Sequence, residues 1–221
     1  MNDSLSRRVV CEFVATAFLL ATIVGSGIAG ATLAGGNVAI ALLANSLATG
    51  AMLTVLILIF GPVSGAHMNP VVSVAAVVLG QLHRCDLIPY IVAQLVGAVV
   101  GVLVAHLMFA VPAWQIASTA RSGPAQWLSE GVATFGLLLT VFGCAARTPA
   151  ATPFAVGLYI VAAFWFTAST SFANPAVTFA RSLTDTFAGI APADVMPFVL
   201  SQAAGAFFAV ATLALLSSSQ R

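Results

Sequence analysis

The chain has 221 residues, of which 61% are hydrophobic and only 6% charged; an average soluble domain carries roughly 25% charge. Seven Arg, no Lys and six acidic residues give a net charge of +1, far too little polar cover for a soluble globule of this size. The same scarcity excludes intrinsic disorder and a nucleic-acid surface, which needs a clustered basic face. What remains is an integral membrane protein, read as one domain over residues 1–221 with little mass outside the bilayer.

A membrane helix needs about 20 apolar residues. Taken in chain order, apolar runs bounded by Gly, Pro and charge predict six spans, at Val9 to Ala34, Val38 to Phe60, Leu87 to Val111, Gln126 to Ala146, Pro153 to Ala168 and Val195 to Leu216. Between the second and third lies a short apolar piece from Asn69 to about Gly80, and between the fifth and sixth another from Asn174 to about Leu183. At 1.5 Å rise, about 11 residues cover roughly half of the hydrocarbon core. Each begins Asn-Pro, a good N-cap followed by the favoured first helical residue. Each therefore reads as a half-helix. The small, flexible stretches before them, 61–68 and 167–173, predict irregular backbone, which is tolerated at membrane depth only around protein or a water-filled cavity.

The chain repeats itself. Residues 11–27 align with 129–145 without a gap at eight identities, Glu12/Glu130 and Thr16/Thr134 among them. Asn69-Pro70 matches Asn174-Pro175, and 86–98 matches 194–206 at Asp, Pro, Gln, Gly and Ala. Two units, about 8–111 and 126–217, each with three spans, must then lie in opposite orientation across the membrane. The repeat begins inside the first apolar run, which argues against reading that run as a cleaved leader. With the N-terminus inside, Arg7, Arg8, Arg84, Arg147 and Arg221 are cytoplasmic, and Arg121 and Arg181 are external. The excess inside favours cytoplasmic termini and an inner (plasma) membrane location. Cys11, Cys85 and Cys144 lack metal or redox spacing and suit free thiols on the reducing side. No cofactor or metal site is expected.

Facing half-helices would bring two helix N-termini together at mid-membrane, an electropositive ring that repels cations and favours oxygen acceptors. The amides of Asn69 and Asn174 would donate to a passing oxygen while each side-chain carbonyl caps its own helix. Water held as a double acceptor cannot continue a proton wire. The residues alone thus predict a narrow pore for neutral molecules.

Ser64-Gly-Ala-His-Met-Asn-Pro-Val71, Asn174-Pro-Ala176 and Glu12/Glu130, placed in this repeat, make the chain resemble the major intrinsic proteins, the aquaporin and aquaglyceroporin family, over about residues 8 to 216. The resemblance implies an all-α membrane protein with six transmembrane helices and two re-entrant half-helices, forming a homotetramer with one pore per subunit. It implies pore boxes Asn69, Pro70, Val71 and Asn174, Pro175, Ala176. It also implies an outer filter counted from the two Asn residues: Thr49, Ala162, Ser171 and Val177. The family nearly always has Arg where Val177 stands, and usually Phe or Trp where Thr49 stands. All four positions are small and uncharged, which predicts a wide filter without fixed charge, passing glycerol- or urea-sized solutes as well as water. The pattern is similar to bacterial members linked to arsenic handling, which pass neutral arsenous acid. A water-selective pore, or a proton-coupled transporter built on Glu12 and Glu130, are the alternatives.

The resemblance gives Glu12 and Glu130 a structural role, accepting hydrogen bonds from the loop before each half-helix. His67 either lines the inner pore or packs its loop. Arg181, one turn beyond Val177, either charges the outer vestibule or snorkels outward, pairing with Asp185. Gln94/Gln202 and Gly97/Gly205 read as helix-packing residues, and His83 and His106 as interfacial or packing residues. Ser64 and His67 have no third partner for enzymatic chemistry.

Overall fold

The computed structural model describes residues 3–218; the terminal Arg221 lies outside them. Among the described residues the fold is entirely helical, with six helices long and apolar enough to cross a membrane. Their helices are α1 (Leu5–Leu33), α2 (Val38–Ser64), α4 (Leu87–Met108), α5 (Pro124–Arg147), α6 (Thr152–Phe166) and α8 (Pro192–Ser218), a short 3-10 turn extending α4 back to Arg84 and another extending α6 back to Pro149. Two short helices, α3 (Pro70–Val78) and α7 (Pro175–Arg181), complete the set. Both short pieces are shorter than expected. Each gives its Asn to the cap, and α7 stops at Arg181, where the backbone turns into the loop before α8. The second span runs on through Pro62, in its last turn, to Ser64. It ends at Gly65, whose φ of 89° is the left-handed cap that glycine adopts without strain.

The halves pack alike. In the first, α1 lies against α4; in the second, α5 lies against α8. Glycine sets the closeness of both crossings. A Cβ at Gly97 would strike the Phe13 carbonyl, and one at Gly205 would strike the Gly131 carbonyl. Small residues give apolar helices close backbone contact where lipid provides no hydrophobic drive. The halves join where Gly50 of α2 meets Gly157 of α6. Large apolar side chains such as Phe18, Leu58, Leu158 and Phe207 remain exposed around the bundle, as expected of a surface solvated by lipid.

The connections at the end of the bundle away from the N-terminus are tied to one another. Ala117 N–H donates to the Ser182 carbonyl (2.9 Å), Ala191 N–H to the Thr119 carbonyl (2.7 Å) and Arg121 N–H to Asp194 (2.7 Å). Asp185 accepts from the Ser118 N–H (2.9 Å) and hydroxyl (2.8 Å). His106 is fully buried, and both its ring nitrogens are bonded, to the Ala113 carbonyl and to the Thr184 hydroxyl, each at 2.8 Å. It is a packing residue that fastens α4 to this collar. On the other face, His83 Nδ1 accepts from Cys85 N–H, and Arg8 forms an ion pair with Asp86 at 2.9 Å.

Candidate functional site

The two Asn-Pro boxes meet. Asn69 Oδ1 accepts from Val71 N–H (3.1 Å), and Asn174 Oδ1 accepts from Ala176 N–H (3.0 Å) and Val177 N–H (3.3 Å). Each side chain thus caps its own short helix. Each Nδ2 reaches across to the opposite loop, Asn69 to the Ala173 carbonyl (2.8 Å) and Asn174 to the Met68 carbonyl (2.7 Å). An amide carries two N–H groups, so this cross-brace uses one from each Asn. The expectation that both amides serve a passing solute narrows to one free N–H apiece.

The loops before the boxes share one conformation. Gly65, Ala66 and Met68 have positive φ, and so do Thr170, Ser171 and Ala173 at the same distances from their Asn. A non-glycine residue in this region is strained, and surrounding structure must hold it. The buried glutamates do so. Glu12 accepts from the N–H groups of His67 (2.9 Å) and Met68 (2.7 Å), from the Ser64 hydroxyl (2.7 Å) and from Gln94 (2.8 Å). Glu130 accepts from Phe172 N–H (2.9 Å), Ala173 N–H (2.9 Å), the Ser169 hydroxyl (2.6 Å) and Gln202 (2.6 Å). Gln94 and Gln202 therefore do more than pack helices. Each links its glutamate to a hydroxyl of the adjoining short helix, Ser73 (2.9 Å) or Thr178 (2.9 Å). Ser169 carries no motif of its own, but it stands five residues before its Asn, as Ser64 does.

One cavity of about 330 Å³ passes both Asn residues. Four helices wall it with side chains spaced four apart: Leu19 and Ile23 of α1, Thr49, Leu53 and Ile57 of α2, Leu137, Val141 and Ala145 of α5, and Thr152, Val156, Ile160 and Phe164 of α6. That spacing keeps a stripe on one helix face. His67, Asn69, Ser171, Asn174, Val177 and Arg181 also line the cavity. Pro70, Val71, Pro175 and Ala176 do not; they form the first turns behind the Asn residues. His67 Nδ1 lies 3.0 Å from the Ser73 hydroxyl, so its ring both faces the cavity and braces the loop.

Three expectations about the outer end change. Ala162 is exposed and does not line the cavity. It lies two residues from Phe164 and Ile160, about 200° around the helix, so counting back from Asn174 picks the outward face. The cavity does not lack aromatic rings or charge beside Val177, because Phe164, Phe172 and Arg181 all line it. Finally, Arg181 does not pair with Asp185, which is held by Ser118. Its Nε donates to the Ala188 carbonyl, and its guanidinium carbon lies 3.4 Å from the Phe172 ring centre. Among the described residues, no three His, Cys, Asp or Glu side chains converge as a metal site would require.

Two capped half-helices, braced to each other, line one cavity inside a bundle of six membrane-length helices. The family model for the major intrinsic proteins matches residues 2–168. The chain belongs to the major intrinsic protein family. It is 50% identical over 209 residues to Aquaglyceroporin AqpS of Rhizobium meliloti (strain 1021), covering 95% of this chain and 89% of that protein. It is 31% identical over 245 residues to Aquaporin AqpM of Methanothermobacter thermautotrophicus, covering 97% and 99%. The fold is similar to the X-ray structure of the aquaglyceroporin from Plasmodium falciparum, with a TM-score of 0.74 at 19% identity over 94% of each chain. The chain is an integral membrane channel of the class that passes small neutral solutes.

Proposed function

We propose that this channel passes hydroxylated solutes of glycerol or urea size as well as water. The supporting observation is the two-faced lining on the outer side of the Asn pair. Ile160, Phe164 and Val177 make an apolar wall, while the buried Ser171 hydroxyl has no hydrogen-bond partner among the described residues and faces the same space. A polyol has a CH edge and an OH edge, and such a lining fits both. Water gains nothing from the apolar wall. Val177 also leaves that position without the bulk and charge of an arginine. Neutral arsenous acid, a compact trihydroxide, suits the same lining. AqpS is named an aquaglyceroporin, which agrees with this reading. The buried glutamates are structural acceptors here, each already holding four donors, and take no part in proton coupling. The pore operates in a homotetramer in the inner membrane, with cytoplasmic termini.

Stopped-flow light scattering on proteoliposomes tests the substrate reading, with water, glycerol, urea and arsenous acid as separate solutes. Glycerol flux linear in its gradient and indifferent to a pH gradient is expected. Water flux with both glycerol and urea excluded overturns the proposal. Val177→Arg places a long cation against the wall and is expected to reduce glycerol flux more than water flux; equal wild-type rates for both would move the constriction elsewhere.

A further inference from the structure

Arg181 is almost entirely buried, at 2% exposure, in a membrane protein, and among the described residues no carboxylate forms an ion pair with it. A buried charge is tolerated when it is paired or when it faces a water-filled cavity, and in membrane proteins such residues mark solute pathways. Arg181 takes the second course. Its Nε is spent on the Ala188 carbonyl, its plane lies against Phe172, and it lines the cavity that holds both Asn residues. Among the described residues, no protein acceptor takes its two terminal NH2 groups. The backbone fixes it as well: its carbonyl accepts from Ile190 N–H at 3.2 Å. A second guanidinium, that of Arg121, lies 5.1 Å from the centre of the same Phe172 ring and donates through Nε to the Gly189 carbonyl. Ser171, one residue before Phe172, is 3% exposed and contributes the unpaired hydroxyl.

We propose that Arg181 is the charge-selecting residue of this pore, and that with the free hydroxyl of Ser171 it forms a polar subsite for solute oxygens outside the Asn pair. The inference rests on the channel reading above but not on which solute the channel carries. The terminal NH2 groups donate to a hydroxyl or carbonyl oxygen entering from outside. The Ser171 hydroxyl, free of any protein partner, can donate or accept, so it can take a solute O–H that a guanidinium cannot. The fixed positive charge raises the barrier for alkali cations and protons at the outer end. The cation thus comes from one turn beyond Val177, against an aromatic ring instead of inside the constriction. Solutes can then be admitted by an open position 177 without surrendering charge discrimination.

The test uses the full-length channel in proteoliposomes with three readouts: glycerol flux, water flux, and proton entry under an imposed voltage reported by an internal pH dye. Arg181→Ala is expected to raise proton entry about tenfold as the electrostatic barrier is lost. Arg181→Lys loses the stacking and the Ala188 geometry but keeps the charge, and is expected to keep proton entry near wild type. Ser171→Ala is expected to lower glycerol flux about threefold, the effect of one hydrogen bond. Wild-type proton entry in a folded Arg181→Ala channel overturns the charge assignment. Equal leakage from the Lys and Ala variants also overturns it, because the arginine would then be acting through structure alone. Unchanged glycerol flux in Ser171→Ala overturns the subsite. A wild-type channel that excludes glycerol fails the substrate reading separately and leaves the proton comparison intact.

Discussion

At the scale of single residues, charge in this chain does local work. The ion pair of Arg8 with Asp86 and the contact of Arg7 with Asp3 sit at one end of the bundle, while Asp185 and Asp194 organise the other. Asp185 is exposed, and its carboxyl is held below the usual carboxylate range by the Ser118 N–H first and the Ser118 hydroxyl second. A depressed folded pKa means that the stabilisation is complete above the unfolded pKa and is lost as pH falls through the folded one. The tether between the 112–123 loop and the segment after α7 should therefore hold at neutral pH and release below about pH 4. Proteolysis of detergent-solubilised channel is expected to reach the 112–123 loop faster in acid. Asp185→Asn, which cannot gain acceptor strength on ionising, should flatten that dependence. Equal pH dependence in variant and wild type would assign the acid sensitivity to another group.

At the scale of elements, each short helix depends on a glutamate two helices away. The Glu130 carboxylate satisfies the N–H groups of Phe172 and of the left-handed Ala173 in the preceding loop, and it fixes Gln202 of α8 at the same time. Glu130→Gln replaces one acceptor oxygen by an NH2 group that faces donors, leaving buried N–H groups unsatisfied at about 1–3 kcal/mol each. A marked fall in thermal stability is expected, with loss of flux for every solute, measured by thermal unfolding and light scattering on the same preparation. Unchanged unfolding with altered flux would show that the carboxylate serves transport directly. Much of this arrangement is legible in the sequence, because Asn-Pro and the glutamates recur in register and their chemistry is local. Ser169 could have been found by its distance from Asn174, equal to that of Ser64 from Asn69. The wall from α6 is not legible by counting from Asn174, since a loop separates the two and the helical phase must be taken from α6 itself. The stripe Val156, Ile160, Phe164 carries that phase; Ala162 does not.

At the scale of the whole molecule, topology follows from odd numbers. Each half supplies three long helices and one short helix. A chain that crosses three times before the second half begins must start that half on the opposite side, so two similar halves enter the membrane inverted. Inversion lets both Asn residues approach the same point from opposite faces, where each braces the other's loop. The direction of insertion is a separate question, decided by arginines near the ends of the spans. Arg7, Arg8, Arg84 and Arg147 lie at connections on one side, and Arg121 and Arg181 at the other. Cys85 is exposed beside Arg84, whereas Cys11 and Cys144 are partly buried; Trp114 is exposed in the opposite connection. A membrane-impermeant maleimide applied to intact cells should leave Cys85 unmodified and should label it once the membrane is opened, with Cys85→Ser as the control for the other thiols. Trp114→Cys in a Cys85→Ser background should be labelled in intact cells. The reverse pattern would place the arginine-rich connections outside, and the guanidinium of Arg181 would then guard the cytoplasmic mouth.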